Sequence, residues 1–241
     1  MNIFSALRPA LPILIGAALM LSVSMGLRQS LGVFMPALTK DIGISVSQFT
    51  LAIAVQNLAW GFLQPFAGAL AVRIGYRPLM MAGALLYVMG MSTLWLAQGL
   101  LGVTLGAGLA IGAAMACNGS AIAMAVASRP VSPALRSTVL GIVSAAGSLG
   151  ALMAAPVGQL LSQSYGWRVG VAGFVIMALI ILPAAWYAGR VDALPVPPSP
   201  LGEKDNAPDM ARFALKHPPF AVMTLAYFVC GMQLVFLRSE E

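Results

Sequence analysis

Charge is scarce in this sequence. Only 8% of its 241 residues are Asp, Glu, Lys or Arg, where a soluble globular chain carries about a quarter. So few ionised groups cannot hydrate the outside of a folded chain, which excludes an ordinary water-soluble protein. Histidine occurs once, as His217 beside Pro218 and Pro219, and cysteine twice, as Cys117 and Cys230 inside apolar stretches. A lone histidine with no cysteine nearby cannot assemble a metal site, so no metal or cofactor is expected. The two cysteines read as small apolar packing residues. With no Walker-type glycine loop and no credible Ser-His-Asp set, ATP-driven pumps and hydrolases are excluded, and an enzyme is not expected. The apolar stretches also lack Asp and Glu, so they hold no obvious carboxylate proton carrier.

What fills the space is hydrocarbon. Hydrophobic residues make up 60% of the chain, and the mean hydropathy is +0.91. About 20 apolar residues of helix cross the roughly 30 Å hydrocarbon core of a bilayer. Runs of that length lie at 11–36, 46–72, 79–97, 100–127, 137–161, 169–188 and 219–237. They are apolar on all sides, unlike the one-faced helices of a soluble core. The expectation is an all-α, multi-pass membrane protein surrounded by lipid. Arg8 ahead of the first run and Ser22-Val23-Ser24 loosely resemble a cleaved signal, but the run continues past Arg28 to Pro36, too long for one. It is read as a retained first helix.

The formal net charge is +6. If the runs alternate across the membrane, Arg8, Arg73, Arg77, Arg129, Arg136, Arg190, Lys204, Arg212 and Lys216 fall on one side, against Lys40, Arg168 and Arg238 on the other. That asymmetry predicts a cytoplasmic N-terminus in a cell (plasma or inner) membrane. The basic excess is thus a topology signal and implies no nucleic-acid partner.

Most connections are short, but Arg190–Pro218 is rich in Pro and holds Asp192, Glu203, Asp205 and Asp209. It reads as a solvated linker. The expected organisation is a six-helix bundle over 1–189, a cytoplasmic linker over 190–218, and a seventh helix over 219–241. Within the bundle, an offset of 91 residues relates Pro65 to Pro156, Leu70 to Leu161, Gly75 to Gly166, Tyr76 to Trp167 and Arg77 to Arg168. A unit of three crossings is odd, so its second copy enters the membrane inverted, an arrangement recurrent in secondary transporters. Small residues at four-residue spacing, among them Gly150, Ala154 and Gly158 around Pro156, predict close helix packing.

The second-to-third junction reads Gly68-Ala69-Leu70-Ala71-Val72-Arg73-Ile74-Gly75-Tyr76-Arg77-Pro78. It resembles the cytoplasmic loop motif of the major facilitator superfamily, with Gly68, Arg73, Gly75 and Arg77 matching a gate sequence and Val72 where the family carries aspartate. In the family that carboxylate helps to latch the closed state. Ala155-Pro156-Val157-Gly158 resembles a degenerate fifth-helix motif of the superfamily's antiporters. Ala211-Arg212-Phe213-Ala214-Leu215-Lys216-His217-Pro218-Pro219-Phe220 resembles the entry to helix seven in monocarboxylate and oxalate–formate-type members. The resemblance implies two six-helix halves. This chain holds the first half, made of two inverted three-helix repeats, plus a linker and one further helix. It is therefore expected to be an incomplete transporter whose partner is the missing six-helix half.

Arg28 is the leading candidate for function, because a charge inside a span is costly and guanidinium pairs bidentately with carboxylate. The plainer alternative is that Arg28 snorkels to the interface. Gln56, Asn57, Trp60 and Gln64 share one face of the second run, where a polar stripe must meet protein or water. They either line a path or join helices, and Asn118 in the fourth run is a further candidate contact. The reading is a secondary active transporter for a small organic anion such as a monocarboxylate, working by alternating access. The alternative is a seven-helix receptor or assembly subunit that transports nothing.

Overall fold

In lipid every backbone N–H and C=O must find its partner within the segment, and for an isolated apolar run the helix is the solution. A computed structural model describes residues 7–195, 218–220, 222–226 and 229. It contains six helices long and apolar enough to span a bilayer. They are α1 (Leu11–Asp41), α2 (Val46–Ile74), α3 (Tyr76–Trp95), α4 (Leu100–Ser128), α5 (Pro133–Tyr165) and α6 (Trp167–Ala193). No strand occurs among the described residues.

Local chemistry explains the ends and the irregularities. The α1 span extends beyond Pro36 because a 3₁₀ turn, Ser30–Phe34, restarts it as Met35–Asp41. Pro36 thereby stands in a first turn, where its missing N–H costs nothing. Ser45 opens α2 with a reciprocal capping box: its hydroxyl accepts the Gln48 N–H at 3.2 Å, and the Gln48 side chain accepts the Ser45 N–H at 2.8 Å. The α4 span carries a π-helical segment, Thr104–Ala110.

The two three-helix units match at the junction of their second and third helices. α2 ends at Ile74 and α5 at Tyr165; α3 starts at Tyr76 and α6 at Trp167. Each pair differs by 91. The junction residue Gly75 has φ 92° and ψ 164°, and Gly166 has φ 88° and ψ 158°, a region open in practice only to glycine. Pro65 and Pro156 each lie inside their helix. Three crossings separate the junctions, so they stand at opposite ends of the bundle.

Small residues set the helix spacing. A Cβ on Gly26 would lie 2.5 Å from the Gly150 carbonyl, and 3.2 Å from the Ala154 methyl, so α1 and α5 pack backbone to backbone. Phe174 fills the space above Gly158, and Phe34 meets it edge-on at 5.1 Å between centroids. The packing stripe Gly150, Ala154, Gly158 therefore joins α5 to α1 and α6, with Pro156 inside it. In α4, Gly106 faces the backbone of Gly90 and Leu94 on α3, whereas Gly108 and Gly112 face Ala52 and Gln56 on α2. The most open helices are α2 and α5; Leu58, Phe62 and Phe66 form an exposed ridge on α2.

The first compact unit ends at Leu194 and the second begins at Pro195. Residues 190–194 of the expected linker lie within that first unit, where Gly189–Ala193 forms a 3₁₀ turn and Val191 is buried. The rest of the expected linker, apart from Pro195 and Pro218, lies outside the described residues. In the second unit, residues 218–220, 222–226 and 229 are helical and exposed, and most of the expected seventh run also lies outside them.

Candidate functional site

Arg28 sits in the last turn of the regular part of α1, which ends at Gln29, and the backbone beneath it is fixed on two sides. The buried Tyr87 hydroxyl of α3 donates to the Ser24 carbonyl at 2.8 Å, and Gly26 abuts Gly150 of α5. Leu27 is fully buried. The guanidinium crosses to α2. Its Nη2 donates to Asn57 Oδ1, and the group stacks over the Trp60 ring at 4.8 Å. Both of these groups are neutral, and together they fix the plane of the guanidinium.

The support continues along α2. Asn57 Nδ2 donates to the Ile53 carbonyl at 3.0 Å, which turns Oδ1 toward Arg28. Trp60 Nε1 donates to Gln64 Oε1 at 2.9 Å, and Gln64 Nε2 donates to the Ala116 carbonyl of α4 at 3.2 Å. Indole and amide are thereby braced against a third helix. Arg28 and Trp60 are half-buried and Asn57 is exposed, so the cluster has an open side. Among the candidates read from sequence, Arg28, Asn57, Trp60 and Gln64 come together.

Gln56 and Asn118 do not join them at an open surface. Gln56 is 1% exposed, and its Nε2 donates to the Ala107 carbonyl within the π-helical segment of α4. Asn118 is fully buried against α3. In the amide orientation that satisfies it, Nδ2 donates to the Met80 and Cys117 carbonyls at 3.0 and 3.1 Å, and Oδ1 accepts the Ala84 N–H at 2.9 Å. Gly83 makes room, since a Cβ there would meet Cys117 and the Asn118 amide. Both side chains spend their hydrogen bonds on neighbouring helices. Tyr87 had no signal in the sequence, since one aromatic among apolar residues does not announce a buried hydroxyl contact.

The motif at the second-to-third junction is held from α6. Asp192 accepts the N–H groups of Tyr76 at 2.9 Å and Arg77 at 2.8 Å, at the electropositive start of α3. Arg77 stacks on Trp186 at 4.6 Å, and Arg129 donates to the Leu194 carbonyl at 3.1 Å. Arg73 is exposed and Gly68 half-buried with nothing near its Cβ position. Val72, where a carboxylate would stand in the family motif, is 83% exposed.

The kinship is decided by a family model for the Major Facilitator Superfamily, which matches residues 15–238. The chain belongs to that superfamily. It is accordingly an integral, multi-pass membrane protein. Monocarboxylate transporter 11 of Mus musculus is 33% identical over 150 residues, covering 61% of this chain and 32% of the relative. Monocarboxylate transporter 3 of Mus musculus is 28% identical over 159 residues, covering 65% and 31%. Monocarboxylate transporter 4 of Gallus gallus is 26% identical over 221 residues, covering 89% and 46%. The chain thus spans less than half the length of these superfamily relatives.

Proposed function

We propose that the chain is the N-terminal part of a secondary active transporter for a small organic anion such as a monocarboxylate. The observation that carries this reading is the Arg28 guanidinium, half-buried within a span and oriented by Asn57 and Trp60. An oriented guanidinium matches a carboxylate bidentately and keeps its charge at any physiological pH. The names of the monocarboxylate transporter relatives point to the same substrate class. In this reading a second six-helix half covers the open faces of α2 and α5, and the halves rock around a midplane site. The Gly68, Arg73, Gly75, Arg77 junction forms the cytoplasmic gate, the N-terminus is cytoplasmic, and the function is transport without covalent chemistry.

Gln56 and Asn118 serve this site as helix joints, whereas Gln64 braces Trp60. The test uses the chain completed with a second half, reconstituted in vesicles. Arg28→Lys keeps charge but loses the planar fork and should raise KM sharply. Arg28→Gln should nearly abolish uptake of a short monocarboxylate while membrane insertion stays intact. Near-normal uptake by Arg28→Gln, at equal expression, would remove the central residue of the proposal.

A further inference from the structure

Small and large residues alternate where α1 meets α6. Gly16 and Ala184 form a floor, the backbones so close that a Cβ on Gly16 would lie 2.6 Å from the Ala184 carbonyl. Ile15 and Leu19 rise on one side, Ile180 and Tyr187 on the other, all four exposed. Together they bound an apolar cavity of about 330 Å³. A second cavity, of about 150 Å³, lies between α1 and α5, with Ser22, Val23 and Gly26 on one side, Leu149 and Met153 on the other, and Met177 of α6 at its edge. From Pro12 to Leu19 the α1–α6 groove extends about 10 Å at 1.5 Å per residue. The hydrocarbon half-thickness of a bilayer is about 15 Å, so this groove can take the headgroup-proximal two-thirds of an acyl chain.

The groove's mouth is basic. Arg190 is exposed and stacks on the Tyr187 ring at 4.8 Å, beside a wall of the groove. It belongs to the Gly189–Ala193 turn, which packs against α1. Arg8, also exposed, precedes Pro12 by one turn. Arginine at the end of an apolar channel between spans suits a phosphate headgroup above its own acyl chain.

We propose that the α1–α6 groove is a binding site for one anionic phospholipid, its acyl chain along Gly16 and Ala184 and its phosphate at Arg190 and Arg8. The full chain, purified in mild detergent, would be mixed with phosphatidylglycerol or phosphatidylcholine of equal chain length. Native mass spectrometry then counts the lipid retained. Phosphatidylglycerol should be retained in preference to phosphatidylcholine. Arg190→Gln should lower its retention roughly fivefold, the worth of one basic residue near a headgroup. Ile15→Trp, which fills the groove from an exposed position, should abolish retention with an unchanged unfolding midpoint. Leu19→Trp serves should that variant unfold. Equal retention of both lipids, or retention untouched by either tryptophan, would overturn the proposal. So would a dimer of this chain that either tryptophan dissociates, which would make a second copy the occupant.

Discussion

The junctions Gly75–Arg77 and Gly166–Arg168 share a sequence pattern and a backbone, yet are fastened by different atoms. Asp192 holds the first through the main-chain N–H groups of Tyr76 and Arg77. Asp41 holds the second through side chains, accepting Trp167 Nε1 at 2.8 Å and lying 3.8 Å from Arg168 Nη2. These aspartates are the two acidic residues of the sequence between positions 7 and 195. Each stands near the end of a span and clasps a junction of the other repeat. The inverted repeat therefore preserves a turn geometry and a place for a carboxylate, and leaves the chemistry of the contact open. It also gives a physical counterpart to Val72: the junction has its carboxylate, delivered from another helix.

The sharpest break would come from sidedness, an all-or-none observation. In a background with Cys117 and Cys230 replaced by serine, Val72→Cys and Tyr165→Cys are exposed reporters next to the two junctions. In intact cells an impermeant thiol reagent should label the second and spare the first. Labelling of both from one side would undo the inversion, and the reverse pattern would undo the orientation.

Glycine replacement ranks next. An alanine held in the φ and ψ of either junction is strained by about 1–3 kcal/mol. At Gly75 a Cβ would also lie 2.9 Å from the Asp192 carboxylate, whereas at Gly166 nothing lies within 4 Å. Gly75→Ala should therefore lower the thermal unfolding midpoint in detergent more than Gly166→Ala. Equal shifts would mean that Asp192 yields freely.

The smallest contrast is between the carboxylates. Asp192→Ala strips two first-turn N–H groups of their acceptor and should cost about 0.5–2 kcal/mol, as loss of a helix cap does. Asp41→Ala loses a pair whose side chains are 45% and 53% exposed, worth roughly 0–1 kcal/mol. Denaturant titration of both variants checks the order. A larger loss at Asp41 would show that the indole bond, and not the ion pair, dominates there.

The six spans were legible because hydropathy and length alone fix them. Their ends were less so, since helices continue into polar residues when a cap awaits them. α3 starts at Tyr76, ahead of the apolar run at 79, because Gly75 turns the chain and Asp192 accepts its first N–H groups. Arg28 and the α2 stripe were each legible, from the cost of a charge inside a span and from helical spacing, but their contact through Asn57 and Trp60 was not. What Gln56 and Asn118 touch could not be read from sequence, because backbone acceptors on a neighbouring helix leave no residue-type trace. Asp192 was hidden for a related reason: its surroundings of proline and charge describe a linker, while its partners lie 115 and 116 residues away.

The π-helical segment Thr104–Ala110 has a consequence for phase. Within it Gly106 faces α3 and, two residues later, Gly108 faces α2, while the Ala107 carbonyl between them accepts from Gln56. Wider turns of this kind behave as an inserted residue within an α-helical ladder. Winding the same residues as an ordinary α-helix would rotate everything beyond them by about 100°. Gly112 would then leave α2, and Asn118 would leave its berth on α3. The faces of α4 are kept in time by that one irregularity, and deleting a single residue there, which takes the wide turn with it, should leave Gly112 and Asn118 on their partners.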